Sequence, residues 1–491
     1  MSPAHTSLAR AALLLACAGT LGATSVSMRA AEPEDTLGVR TGGSTTVEAT
    51  GRNAFSFPFT GLTDEEATRF AIGNSFFRRN WVQAPASTQA RDGLGPHFIA
   101  RSCGGCHVQD GRGAPPDLSK PVHEAPVGLL LRLSVPGMGA HGGVVPEPVY
   151  GEQFANAAID GVKPEGRVTI RTQAIRDQFA DGTPYVLRKP LYGFADLAYG
   201  PMAANAQVSP RVAPQMAGVG LLDAIAESDI LANEAQQARN AKHTRTGSPR
   251  ARMAIQGQAN RVWDAPSGEM RVGRFGWKAN VATLVHQTAA AFVGDIGITS
   301  ALFPAEDCTV KQADCLAAPR GGKAGAPEID DTTLGHVVFY QSTLAPAARR
   351  DATDPQVLRG QQLFAQAECS ACHRPSYTTG AAPFPAVASP GAAGQRIWPY
   401  TDLLLHDMGE ALADHRPDFL ASGRQWKTPP LWGIGLIPGV NGHQRLLHDG
   451  RAEGVLEAVL WHGGEAEFSR KRVLKFSKAE RAALVRFVES L

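Results

Sequence analysis

Cys369-Ser370-Ala371-Cys372-His373 is the stretch that decides how this chain is read, and Cys103-Gly104-Gly105-Cys106-His107 repeats its form nearer the N-terminus. In each, two thiols are spaced for thioether bonds to the vinyl groups of one haem. The imidazole directly after the second thiol can take the iron as its proximal ligand. A chain of 491 residues with 7 Cys and 14 His would produce one such motif by chance roughly 0.003 times, so a pair is not accidental. Cys-x-x-Cys also opens zinc sites. Zinc would need the two motifs to converge on one ion, and it gives no reason for a His after both.

Working outward from the second motif, the spacing of Val357, Phe364 and Ala367 predicts a helix over 355–367 leading into it. A last helix should open at Ser477, capped by Glu480, and carry Leu484, Phe487, Val488 and Leu491 on one side. Around the first motif, Thr63 and Glu66 form a capping-box signature for a helix that puts Phe70 and Phe77 on one face. Val219, Leu222 and Ile225 suggest a core helix over 218–231, and 263–277 reads as a hairpin turning at Ser267-Gly268. The expected fold is therefore mainly α, with two cytochrome c-like haem domains. They would span 52–345 and 351–491, the first enlarged by long loops and some β-hairpin. No internal repeat is legible beyond the two motifs.

A low-spin haem needs a second axial ligand, usually Met or His. For the C-terminal haem the candidates are Met408, in His406-Asp407-Met408-Gly409, and His462, at the end of a helix that Gly463-Gly464 terminates. Val455, Val459 and His462 share one helical face, so His462 would project from an apolar stripe.

The N-terminus reads as a secretory signal over 1–30: Arg10, an apolar run from Ala11 to Ala16, then small residues. Leu14-Leu15-Ala16-Cys17 resembles a bacterial lipobox, which would make Cys17 an acylated residue anchored to the membrane. A polar, turn-rich linker, expected to be disordered, follows over 31–51. In an oxidising periplasm, Cys308 and Cys315 could close a short disulfide, the alternative being two free thiols. A net charge of +2 with 19% charged residues argues against a nucleic-acid partner.

Asp402-Leu403-Leu404-Leu405-His406-Asp407-Met408-Gly409, Lys427-Thr428-Pro429-Pro430-Leu431, His448-Asp449-Gly450 and Leu456-Glu457-Ala458-Val459 carry a family resemblance. They look like the C-terminal half of bacterial di-haem cytochrome c peroxidases, and more closely like the related di-haem oxidoreductases of peroxidase type. In the peroxidases the residue ending the Glu-Ala-Val helix is a Met bound to the electron-transfer haem; His462 stands there in this chain. The resemblance implies a distal His and carboxylate at the N-terminal haem, for which His123 and Glu152 are the candidates. It also implies a calcium ion held by an Asn and backbone carbonyls, with Asn280 and Lys427-Thr428-Pro429-Pro430 in comparable places. An aromatic bridge between the irons would be Trp277 or Trp432.

The function expected from these readings is an exported, periplasmic di-haem c-type oxidoreductase. Electrons would enter at the C-terminal haem from a small redox protein or a quinol-linked donor, and peroxide would be reduced at the N-terminal haem. Two alternatives stand beside it: a non-enzymatic electron-transfer cytochrome, and a di-haem oxidase of an organic or protein substrate. One scaffold can host all three.

Overall fold

Thr63 Oγ1 accepts a hydrogen bond from the Glu66 amide and the Glu66 carboxylate accepts one from the Thr63 amide, so the capping box starts helix α1 (Asp64–Arg78) as the sequence leads one to expect. The first thiol pair lies on a single helical turn, α2 (Cys103–Cys106). The core helix expected over 218–231 is broken instead. Short α3 (Val219–Asp223) stops before α4 (Glu227–Gly247), because Arg274 enters the gap and donates to the carbonyls of Asp223 and Ile225. After α5 (Leu284–Ala291) and α6 (Asp331–Ser342) come α7 (Pro355–Gln366), α8 (Gly454–Trp461) and α9 (Lys478–Ser490).

The computed structural model describes residues 35–120, 122, 126–247, 254–322, 325–381 and 391–491. The signal segment and Cys17 lie outside the described residues, as does His123. Residues 37–491 form one unit. No helix among the described residues is long and apolar enough to cross a membrane.

The expectation of a mainly α fold is corrected. Helix accounts for 32% and strand for 18%, the strands forming many small sheets. They pair in twos: β1 (Leu129–Ser134), β2 (Arg167–Gln178), β3 (Pro184–Ala195), β4 (Gln207–Val212), β5 (Arg261–Asp264), β6 (Glu269–Val272), β7 (Leu405–Asp407) and β8 (Gln425–Lys427) give β1–β4, β2–β3, β5–β6 and β7–β8. β5–β6 is the expected hairpin, with Asp264 opposite Glu269 and Gly268 at φ +67° in the turn. The long β2–β3 ribbon was not anticipated. Its base packs Val168, Ile170 and Phe194 against Leu131 and Leu133. Its far end puts Phe179 and Leu187 into the core that holds Trp461 and Phe487.

An internal repeat does exist, and it is one of packing. In α1, a Cβ on Gly73 would come within 2.1 Å of the His336 carbonyl oxygen and 2.7 Å of the Tyr340 Cβ on α6. In α7, a Cβ on Gly360 would come within 1.9 Å of the Ala483 carbonyl oxygen and 2.6 Å of the Phe487 Cβ on α9. Only glycine allows either helix pair this close. Four residues after each glycine comes a phenylalanine, with Phe77 5.2 Å from Tyr340 and Phe364 5.2 Å from Phe487 between ring centroids. The same two rings lie 6.2 Å from His107 and from His373. Each Cys-x-x-Cys-His motif is thus set against an equivalent helix pair.

The stretch expected to be a disordered linker is, from residue 37 on, an edge of the core. Thr41 Oγ1 donates to the Ala347 carbonyl over 2.6 Å and Val47 bridges to Ala347, satisfying backbone groups that a free tether would leave to water. Cys308 and Cys315 are joined in a disulfide.

Candidate functional site

His107 directs Nδ1 at the Pro214 carbonyl oxygen, 2.8 Å away, and His373 directs Nδ1 at the Tyr400 carbonyl oxygen, 3.0 Å away. A carbonyl only accepts, so in both rings Nδ1 carries the hydrogen and Nε2 keeps its lone pair. That is how proteins orient metal-binding imidazoles. Burial favours the neutral ring in both, pushing His373 down to about 4. Cys103, Cys106, Cys369 and Cys372 are unpaired. Burial drives the Cys103 and Cys369 thiols up to about 12, which leaves them poor thiolates for redox exchange.

The zinc alternative does not survive this geometry. Among the described residues the two thiol pairs do not converge; the one cluster of suitable donors is Cys372, Asp402 and His406. His406 has no lone pair to offer. Its Nε2 lies 2.8 Å from Asp402 Oδ2 and its Nδ1 2.8 Å from Glu465 Oε2, so two acceptors engage both nitrogens. Burial opposes a charged ring, but Cys372 and Asp402 outweigh it and hold His406 well above the usual range; of these Asp402 carries the argument, since burial keeps the Cys372 thiol protonated. The sequence reading passed over this clamp, although Asp402 four residues before His406 marks it.

A largely apolar cavity opens beside the second motif. Cys369, Cys372 and His373 line it, and so do both candidates for the far side, His462 and Met408. His462 caps the end of α8 and turns Nδ1 to the Ala458 carbonyl at 2.7 Å, leaving Nε2 free. It sits near enough to His373 for a charge on its ring to disfavour one on His373. Trp277 is in the same wall, its Nε1 donating to the Val212 carbonyl over 2.8 Å. Pro214, whose carbonyl orients His107, lines this wall as well, so one piece of chain reaches both motifs. Trp432 instead packs on Gly218. Three cations, Arg112, Lys427 and Arg470, complete the wall.

The thiols and imidazoles fit covalently held haem at both motifs. Each set offers two protonated thiols and a neutral, oriented imidazole, and the second faces an apolar cavity whose lining includes a further imidazole, His462.

Around the first motif the candidates are less concentrated. Glu152 is exposed, yet it lies in a recess dense enough to push its carboxyl upward, against the pull of Arg132 and Arg416. The carboxylate whose charge reaches Cys103, Cys106 and His107 is Asp295. Gln153 Nε2 holds it at 2.8 Å, and it sits in a one-turn π-helix (Phe292–Ile296) that ends α5. Nothing in the local sequence pattern singles it out. Asp110, fully buried, is held by Tyr340 at 2.6 Å and Arg78 at 2.5 Å, which ties the turn after His107 to α6 and α1. Asn280 Oδ1, the side-chain oxygen suggested for calcium, is buried without a hydrogen-bond partner.

Two oriented imidazoles, each beside a thiol pair, define a protein of the di-haem class. The chain matches the family model described as "Di-haem oxidoreductase, putative peroxidase" over residues 36–154 and 172–491, and it belongs to that family. Neither the curated proteins nor the solved structures gave a significant match. Family membership makes the chain an oxidoreductase and implies haem as its cofactor.

Proposed function

We propose that the chain is an exported di-haem c-type peroxidase. One haem would be held by Cys103, Cys106 and His107, the other by Cys369, Cys372 and His373 with His462 opposite. The observation that carries this reading is the shared orientation of His107 and His373, each with Nδ1 committed to a backbone carbonyl beside two protonated thiols. When bound, haem iron supplies one-electron redox chemistry. The overall reaction takes two electrons and two protons per hydrogen peroxide, breaks the O–O bond and yields two waters. Electrons come from a small redox protein or a quinol-linked donor.

The chain's own residues divide the remaining work. His462, which lines the cavity with His373 and has Nδ1 rather than Nε2 engaged by a carbonyl, would fill the second face of the C-terminal haem, which leaves the N-terminal site for substrate. Protons at that site require an acid near neutrality. Glu152, its carboxyl raised by its recess, and His123 are the groups this reading assigns. Trp277 lines the cavity and donates to Val212, two residues before the Pro214 carbonyl that orients His107, which makes it the residue assigned to an aromatic bridge. Asn280 Oδ1 is the donor assigned to a calcium ion.

The test is the protein purified from a host competent in cytochrome maturation. Intact mass should show two added haems and a processed N-terminus, and should report any acyl group on Cys17. Paramagnetic resonance of the half-reduced protein should show one high-spin ferric signal that cyanide perturbs, with peroxide consumed at the expense of a reduced small cytochrome. Two low-spin signals in every redox state would favour the electron carrier. Absence of any added macrocycle would overturn the reading.

A further inference from the structure

Lys427 and Arg112 pose a problem that the apolar cavity does not solve by itself. Lys427 is 9% exposed and lines the cavity, and among the described residues no carboxylate lies within ion-pair distance of its ammonium. Arg112 is 3% exposed and lines the same wall; its Nε is buried without a partner. One of its terminal nitrogens donates to the Leu447 carbonyl, a neutral acceptor. Asp449, the acid whose charge reaches it, is already taken by Arg451 through bonds of 2.8–3.0 Å. Both residues adjoin Trp277, Lys427 through its backbone and Arg112 through its side chain. The Lys427 amide donates to the Trp277 carbonyl over 2.9 Å, and the Arg112 guanidinium lies 5.2 Å from the Trp277 ring centroid.

Burying a cation without an anion is costly, and proteins keep such groups where a ligand completes them. Other charges on the wall have an acid of their own. His406 has Asp402 and Glu465, and Arg470, although its Nε is also buried without a partner, has Glu467 3.8 Å from a terminal nitrogen. The occupant that suits an apolar cavity whose lining holds two unanswered cations, on residues that both adjoin Trp277, is a flat apolar body with an acidic edge. A haem has that form, its two propionates lying together on one edge.

We propose that Lys427 and Arg112 receive the propionates of the haem held by Cys369, Cys372 and His373, and so set its acidic edge beside Trp277. This rests on the di-haem reading above. Neither residue binds iron; both are positioning residues, acting through charge. A cation against a propionate lowers the negative field at the iron and favours the reduced state.

The experiment is a redox titration, followed by optical spectroscopy, of the matured wild type and of Lys427→Met, Lys427→Arg and Arg112→Gln. Haem content is measured alongside by pyridine haemochrome. Lys427→Met, which keeps the length of the side chain and removes its charge, should lower the midpoint potential of the haem at His373 and leave the other unmoved. Lys427→Arg should restore it. Arg112→Gln, which keeps a donor toward Leu447, should lower the same potential and gives an independent reading if Lys427→Met does not accumulate. Two bound haems with unmoved potentials in both uncharged variants would overturn the proposal while leaving the di-haem reading intact. A wild type with fewer than two haems would instead remove the reading beneath it.

Discussion

Tyr400 holds its carbonyl oxygen 3.0 Å from the Nδ1 of His373, and it does so from a left-handed backbone conformation with φ +54°. A bulky residue rarely adopts that region, which costs on the order of 1–3 kcal/mol and persists only where the surroundings enforce it. Here the Tyr400 ring is wedged edge-on against Phe364 and Phe487, at 6.1 and 5.9 Å between centroids. The aromatic core of the α7–α9 pair therefore fixes the backbone that orients the imidazole. Packing and ligand geometry are one construction.

His462 and Met408 line the same cavity, and spectroscopy of the matured protein separates them. His462→Ala should turn one low-spin haem high-spin and leave the other signal unchanged, whereas Met408→Ala should keep the low-spin signal. The reverse pattern would make Met408 the ligand.

Gly360→Ala forces a methyl to within 1.9 Å of the Ala483 carbonyl oxygen, so α7 and α9 must separate. Overpacking of this kind costs about 1–3 kcal/mol, and more where the obstacle is backbone. Chemical denaturation should show the loss, and the shift of Phe364 and Tyr400 should broaden the spectrum of the neighbouring haem. Gly73→Ala, 2.1 Å from the His336 carbonyl, should act likewise at the first motif.

Glu165 is 1% exposed, and burial raises its carboxyl from 4.5 to about 8 despite hydrogen bonds from the Ala155 amide and Gln312. The folded state thus keeps a proton that the unfolded chain releases. Its contribution to stability is complete below pH 4.5 and is lost as pH rises to about 8. Melting curves across that range should show wild type falling relative to Glu165→Gln, with the difference constant above it. A pH-independent difference would contradict the assignment.

The disulfide closes a short loop, its cysteines seven positions apart. Chain entropy gives it about 2–3 kcal/mol. The double variant Cys308→Ser, Cys315→Ser should lose that much in denaturant unfolding while retaining both haems.

The Cys-x-x-Cys-His motifs were legible because their chemistry is written in five consecutive residues. α1 and α9 were legible because a capping box is equally local. The repeat built on Gly73–Phe77 and Gly360–Phe364 was not, since each glycine makes sense only against a helix far along the chain. The mainly α expectation failed for a similar reason. Residues 167–195 lack helical periodicity, and they pair into a ribbon that finds its apolar partners in two separate cores. Asp295 and Lys427 matter through what surrounds them, which sequence order does not reveal.

The ribbon β2–β3 has a practical consequence. Arg481 covers Phe179 at 4.0 Å and binds Asp181 at 2.9 Å, and the Ala180 amide donates to the Leu474 carbonyl over 3.0 Å. The C-terminal half is thus roofed by an arm rooted in the N-terminal half. Cloned as a stand-alone module from residue 351, it would present a greasy, half-built seat to solvent, and precipitation of that fragment would say nothing against its haem.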